Sequence, residues 1–170
     1  MGEKNTHLVY GMAAGIGYIL ISLVFHLMHK DDMPFLALLA FLPYLGFIIY
    51  NAFAYSKAND GYVTFGQAFW SCFRAVMIVT LLMIVWLYVF NALFPEAKEA
   101  AFEKAREQMA NKPGMTDEQI DLAMNLAKKW GTTIAAGSTL FVSLIGGALL
   151  SVIAAAVAPK KGEKPIFDNL

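Results

Sequence analysis

Acidic side chains are missing from all four long apolar stretches of this chain, Leu8 to Met28, Pro34 to Tyr55, Phe65 to Phe94 and Thr133 to Ala158, and Arg74 is the single formal charge within them. A facing pair of catalytic carboxylates, as intramembrane proteolysis or acid–base chemistry in a membrane would need, has no source there. Cysteine is almost absent as well: Cys72 is the only one, closes no intrachain disulfide, and reads as a small packing residue that leaves the redox compartment open. Net charge is lacking too. The 13 basic and 13 acidic residues cancel, and no basic stripe runs among the aromatics, which argues against a nucleic-acid partner. No H-E-x-x-H, G-x-S-x-G or phosphate-binding glycine loop occurs. Gly146-Gly147 falls in the middle of an apolar stretch, where it suits helix packing. These absences predict neither an enzyme nor a cofactor.

What is present is apolar. Hydrophobic residues make up 58% of the 170 and charged residues 15%, with a mean hydropathy of +0.55. That is more apolar surface than a soluble core of this length hides, so lipid must cover much of it. Each long stretch exceeds the roughly 20 residues a helix needs to cross the hydrocarbon. The expected fold is all-α: an integral membrane four-helix bundle in a single membrane domain over 1–170, with spans at about 8–28, 34–55, 65–94 and 133–158. The first stretch follows Lys4 but is longer than the apolar part of a secretory signal. It ends in His29, Lys30, Asp31 and Asp32 rather than a small-residue cleavage site, so it reads as an uncleaved helix.

Local signals mark where the helices begin. Asp31 or Asp32 can cap a second helix whose first turn holds Pro34, and Pro43 inside it removes one backbone hydrogen bond, which predicts a kink. Ser56 to Tyr62 is a short polar turn built on Asp60-Gly61. Thr64 stands three residues before Gln67, the spacing of a capping box ahead of the third helix. From Pro95 to Trp130 the chain holds six Lys or Arg and seven Asp or Glu, half of all its charge. Pro95 suits a first helical turn, and Lys112-Pro113-Gly114 ends that helix. Thr116 with Gln119 repeats the capping box, and Ile120, Ala123, Met124 and Ala127 form the buried stripe of a helix running towards the fourth span. The segment 95–130 is expected to be a soluble helical hairpin.

Several residues are candidates for function, each with a plainer structural reading. Arg74 lies two to three turns past Thr64, a depth from which its long side chain can snorkel to the interface or meet a backbone carbonyl. Its other readings are an ion path or a protein interface. Asn51 and Asn91 are uncharged polar groups near helix ends and complete a candidate intramembrane polar site with it. Ser143, Gly147, Ser151 and Ala155 recur every four residues, and Gly11 and Gly15 have the G-x-x-x-G spacing. Such stripes let helices approach closely, within the bundle or across a dimer. His26 and His29, followed by Asp31 and Asp32, could ligate a metal, but polar groups also gather at membrane-helix ends for hydration. Tyr44, Tyr50, Tyr55, Tyr88, Trp70 and Trp86 read as interfacial or packing aromatics. In the hairpin, Phe102, Met109, Ile120, Met124 and Trp130 are the candidate partner-binding residues.

With four spans, Lys4, Lys57, Lys160, Lys161 and Lys164 share one side, joined by Arg74 if it snorkels back, against Lys30 and the six basic residues of the hairpin on the other. The counts nearly tie. The tail lysines lie in a short segment next to the membrane while those of the hairpin are matched by acids, which favours both termini in the cytoplasm. A non-enzymatic accessory or interaction component, meeting lipid and a membrane protein or a second copy, is the favoured function. The alternative is a subunit of a small-solute or ion transporter or channel with Arg74, Asn51 and Asn91 along the path. A lipid-acting enzyme is a weaker third.

Three stretches carry a family resemblance: Asp60-Gly61-Tyr62-Val63-Thr64-Phe65-Gly66-Gln67-Ala68-Phe69, Gly114-Met115-Thr116-Asp117-Glu118-Gln119, and Gly146-Gly147-Ala148-Leu149-Leu150-Ser151-Val152-Ile153-Ala154-Ala155 before a lysine-ended tail. In this order, from Tyr10-Gly11 to Lys160-Lys161, the chain resembles a family of small four-helix Bacteroidota membrane proteins catalogued as domain of unknown function forty-one ninety-nine. The resemblance implies a bacterial inner-membrane, multi-pass protein. It implies no activity, cofactor or binding residue.

Overall fold

The computed structural model describes residues 5–28 and 34–161, with the side chains of 34–38 and 40 outside the description. Among the described residues the chain is all helical: α1 (Thr6–Leu27), α2 (Pro34–Ala58), α3 (Phe65–Leu93), α4 (Pro95–Ala110) and α5 (Asp117–Val157). Asp31 and Asp32, the expected caps of α2, lie outside the described residues. Both capping boxes form as their spacing predicts. At α3 the Thr64 amide donates to Gln67 Oε1 (2.9 Å) and the Gln67 amide to Thr64 Oγ1 (3.3 Å). At α5 the Thr116 amide donates to Gln119 Oε1 (3.2 Å) and the Gln119 amide to Thr116 Oγ1 (3.3 Å). Each box satisfies amides that a helix start otherwise leaves free.

The turns follow from their residues too. α2 closes on a residue in the left-handed region, Asp60 at φ 55°, followed by Gly61 at φ 82°. The Gly61 amide reaches back to Ser56 C=O (2.9 Å) and the Asp60 amide to Lys57 C=O (3.2 Å), the paired bonds of a Schellman ending. Pro113 and Gly114 (φ 87°) occupy the centre of a turn that the Met115 amide closes on Lys112 C=O at 3.4 Å, the residue order of a type II turn. Pro95 stands in the first turn of α4, with only Phe94 between it and the end of α3.

One boundary differs from expectation. The second charged helix and the fourth apolar stretch are not two elements but one helix of 41 residues, roughly 62 Å long at 1.5 Å per residue. Gly131 alone separates the charged part from the apolar part, and a single glycine lowers helix propensity by about 1 kcal/mol without ending a helix.

The chain divides into two compact units, Met1–Met83 with Leu140–Leu170, and Ile84–Thr139. The first is organised around α3. Its buried residues Ala68, Ser71, Cys72, Ala75, Val76, Val79 and Thr80 fall at alternating steps of three and one, the i, i+3, i+4 pattern of one helix face, and most of them are small. Ala14 of α1, Ile48 and Ala52 of α2, and Leu150 and Ala154 of α5 complete this core. In the second unit Ile120 and Met124 are buried, as the expected stripe of that helix requires. The Arg106 guanidinium of α4 donates to Asp121 of α5 at 2.7 Å.

Three helices, α1, α3 and α5, are long and apolar enough to cross a membrane by length and composition, among the described residues. Of their most apolar stretches only 17%, 17% and 22% is buried. Leu20, Leu81, Phe141 and Leu149 are each more than half exposed. Side chains this apolar and this uncovered are what a lipid environment, not water, accommodates.

Candidate functional site

Polar groups inside the first unit gather where α2 meets α3. Asn51 is fully buried; its Nδ2 donates to Ser71 Oγ at 3.2 Å and lies 3.6 Å from Cys72 Sγ. The Cys72 thiol in turn points at Ile48 C=O, 3.6 Å away. Asn51 Oδ1 is buried and has no hydrogen-bond partner. Two further buried hydroxyls are satisfied within their own helices, Thr80 by Val76 C=O (2.9 Å) and Ser151 by Gly147 C=O (2.7 Å). A hydroxyl that back-bonds to the preceding turn can face another helix in an apolar medium without an orphaned donor.

The three members of the expected intramembrane polar site occupy different surroundings. Asn51 is in the core just described, Arg74 is exposed on α3, and Asn91, in the second unit, is half-buried with its Nδ2 donating to Leu87 C=O at 2.8 Å. Within the first unit, then, a buried amide and an exposed guanidinium do not share a lining.

The small-residue stripes lie against α3 and not against each other. A methyl at Gly11 would stand 2.9 Å from Ala75 C=O, at Gly15 2.5 Å from Leu82 Cδ1, and at Gly147 2.3 Å from Val76 Cγ1. α1 and α5 thus reach α3 at distances only glycine permits. Ala75 and Val76 belong to the buried face of α3, and Leu82 lies just beyond it. That face, Ala68 to Thr80, is a signal the sequence carried and a search for glycine spacing passes over. Ser143 is half-buried and Ser151 buried.

At one end of the first unit the segment after α5 is fastened to the α2–α3 turn. Ser56 Oγ donates to Pro159 C=O, the Lys161 amide donates to Gly61 C=O at 2.7 Å, and the Lys161 ammonium lies 5.4 Å from the Tyr62 ring centroid. Lys160 Nζ donates to Ala155, Ala156 and Ala158 carbonyls at 2.5, 3.1 and 2.9 Å, capping α5 where its dipole is negative. Nearby, the start of α1 and the end of α2 diverge around a cleft of about 490 Å³ lined by Thr6, Tyr10, Tyr50 and Lys57 among others. Tyr10 and Tyr50 meet edge to face, centroids 5.2 Å apart.

In the second unit the expected partner-binding residues separate by burial. Ile120 and Met124 are buried, Phe102 and Met109 half-buried, and Trp130 is half exposed. The apolar residues that do face outward beside Trp130 are Leu122 and Leu126, at 64% and 53%. They stand four residues apart on one line of α5 and were not singled out, because the three-four periodicity of the buried stripe draws attention to the opposite face.

For metal binding, His29, Asp31 and Asp32 lie outside the described residues. Among the described residues no group of three or more His, Cys, Asp or Glu stands close enough to hold an ion.

No curated protein and no solved structure matches the chain. A family described as "Protein of unknown function (DUF4199)" matches residues 9–160. That range takes in the Asp60-Gly61 turn, both capping boxes and the glycines that meet α3, and the chain belongs to that family.

Proposed function

We propose that the protein is a four-span component of a bacterial inner membrane that works without catalysis, as an accessory that binds another membrane protein through its charged segment 95–130. α2 supplies the fourth span in this reading: its 25 residues are more than the roughly 20 that suffice. α5 then crosses with its apolar half, and about half of its length stands outside the hydrocarbon.

The observation that carries the reading is the line Leu122, Leu126, Trp130. These side chains are 64%, 53% and 50% exposed on a stretch bearing Asp121, Lys128 and Lys129, which water or headgroups must surround. Leucines left uncovered on a polar helix are the usual form of a helix-in-groove or helix-to-helix contact. Photocrosslinking from Leu126 in native membranes tests it. The expected result is one discrete protein adduct, lost in Leu122→Lys and unchanged in Met77→Lys on α3. Adducts to lipid alone, or solute flux in liposomes that Arg74→Leu abolishes, would overturn the accessory role in favour of a transport subunit.

A further inference from the structure

One line of α5 is uncovered on both sides of the change from charged to apolar composition. Leu122, Leu126, Trp130, Thr133 and Gly137 are all exposed, and their steps of four and three keep them on one helix face. α4 meets α5 elsewhere: its Phe102 lies 3.9 Å from where a methyl at Gly131 would stand, and its Arg106 reaches Asp121. A methyl at Gly137 would meet nothing within 4 Å. Within this chain, then, that glycine gains no close approach for the helix propensity it gives up.

The length of the line limits what can cover it. α5 is unbroken from Asp117 to Val157, so Leu122 stands about 16 Å along the helix axis from Thr133, where the apolar part begins. Lipid that reaches Gly137 does not reach Leu122, and the water that suits Asp121 does not suit Leu122 and Leu126. An occupant apolar at both levels is a second helix that crosses the bilayer beside α5 and continues out of it. Gly137 lets such a helix come close.

Charge chooses between a second copy and a different protein. Glu118 and Lys129 are exposed about three turns apart on the same edge of the line, and neither enters an ion pair among the described residues. Copies inserted in one membrane run parallel, so pairing two such lines about a two-fold axis sets Glu118 against Glu118 and Lys129 against Lys129. The Lys129 ammonium lies 5.6 Å from the Trp130 ring centroid, so burying Trp130 in that pair brings both ammonium groups to the seam. Specific interfaces avoid such a juxtaposition.

We propose that this face of α5 binds a membrane-crossing helix of a different protein, which follows α5 out of the bilayer and presents a carboxylate to Lys129 and a basic group to Glu118. The proposal rests on the accessory role and names the kind of partner that role requires.

The test uses the full chain in native membranes, with photoreactive benzoylphenylalanine placed at Leu122, Leu126 or Thr133 and each attachment point mapped by digestion and mass spectrometry. The expected result is one protein, not this chain, reached from all three positions along a single stretch of its sequence, with the points from Leu122 and Thr133 about three turns apart. The yield from Leu126 should fall about fivefold in Lys129→Glu and stay unchanged in Lys128→Glu, which lies off the line. Gly137→Leu should lower it as well, and Gly146→Leu should not. Both glycines face open space in this chain, and nine residues, about two and a half turns, set them on opposite faces of α5. Adducts from Leu122 and Leu126 but none from Thr133 would mean a partner outside the membrane, which overturns this proposal and leaves the accessory role standing. Adducts of the chain with itself, or yields indifferent to Lys129→Glu and Gly137→Leu, would overturn it too. Absence of any protein adduct would remove the accessory role along with it.

Discussion

Single side chains in this protein matter most where polarity is enclosed. Asn51, Ser71 and Cys72 form a polar knot between α2 and α3, and Asn51 Oδ1 stays without a partner inside it. In an apolar surround the Asn51–Ser71 bond is held because neither group has water to turn to, yet measured bonds of this kind are modest, about 0.6 and at most about 1.7 kcal/mol. A double-mutant cycle of Asn51→Ala and Ser71→Ala, read by unfolding in mixed detergent, is expected to return a coupling in that range. A coupling indistinguishable from zero would show that the two groups merely sit side by side. Sequence alone singled out Asn51 but not its companions: a polar residue among apolar ones is conspicuous, whereas the residue 20 positions away that accepts its hydrogen bond depends on how two helices are rotated. Arg74 was conspicuous for the same reason, and its exposure on α3 likewise depends on rotation, which composition does not fix.

Helix by helix, the legible part was whatever local chemistry decides. The capping boxes at Thr64 and Thr116, the Asp60-Gly61 ending, Pro95 at a helix start and the Lys112-Pro113-Gly114 break all act within a few residues, so each could be placed from its own neighbours. The continuity of α5 could not, because a change from charged to apolar composition resembles a boundary though no backbone signal ends the helix there. Nor could the partner of the glycine stripes, since α3 meets them through Ala75, Val76, Ile78 and Leu82, which carry no glycine spacing. The stripes make a sharp contrast between adjacent residues of α5. A methyl at Gly147 would meet Val76 at 2.3 Å, whereas at Gly146 nothing lies within 4 Å. Gly147→Ala is therefore expected to destabilise the chain by about 1 to 3 kcal/mol through overpacking. Gly146→Ala should be neutral or stabilise it by up to about 1 kcal/mol through helix propensity. Detergent unfolding midpoints of the two variants decide the matter; equal shifts would mean that α5 does not pack on α3 through this glycine.

For the whole molecule, function turns on how many times the chain crosses the bilayer and in which direction. Length and composition qualify α1, α3 and α5 among the described residues, and the four-span reading adds α2. The number matters because it assigns sides: four crossings put both termini and the Asn59 turn together and the Lys112 turn opposite, while three with α2 lying along the surface put Asn59 with the far end of α1. Charge does not settle direction, because the basic residues divide almost evenly between the two sides and those of 95–130 are matched by acids. The asymmetry that remains is local. Lys160 and Lys161 follow α5 directly, and one caps its carbonyls while the other fastens to the α2–α3 turn, so their charge is fixed at the membrane edge instead of spread along a flexible tail. Positive charge so placed is what resists translocation. In a Cys72→Ala background, Asn59→Cys is accordingly expected to react with a membrane-impermeant maleimide only from the cytoplasmic face, and Lys112→Cys only from the opposite face. Labelling of both from one face would remove the α3 crossing between them, and labelling with the faces exchanged would overturn this arrangement, leaving either an inverted four-span protein or three crossings with α2 along the surface.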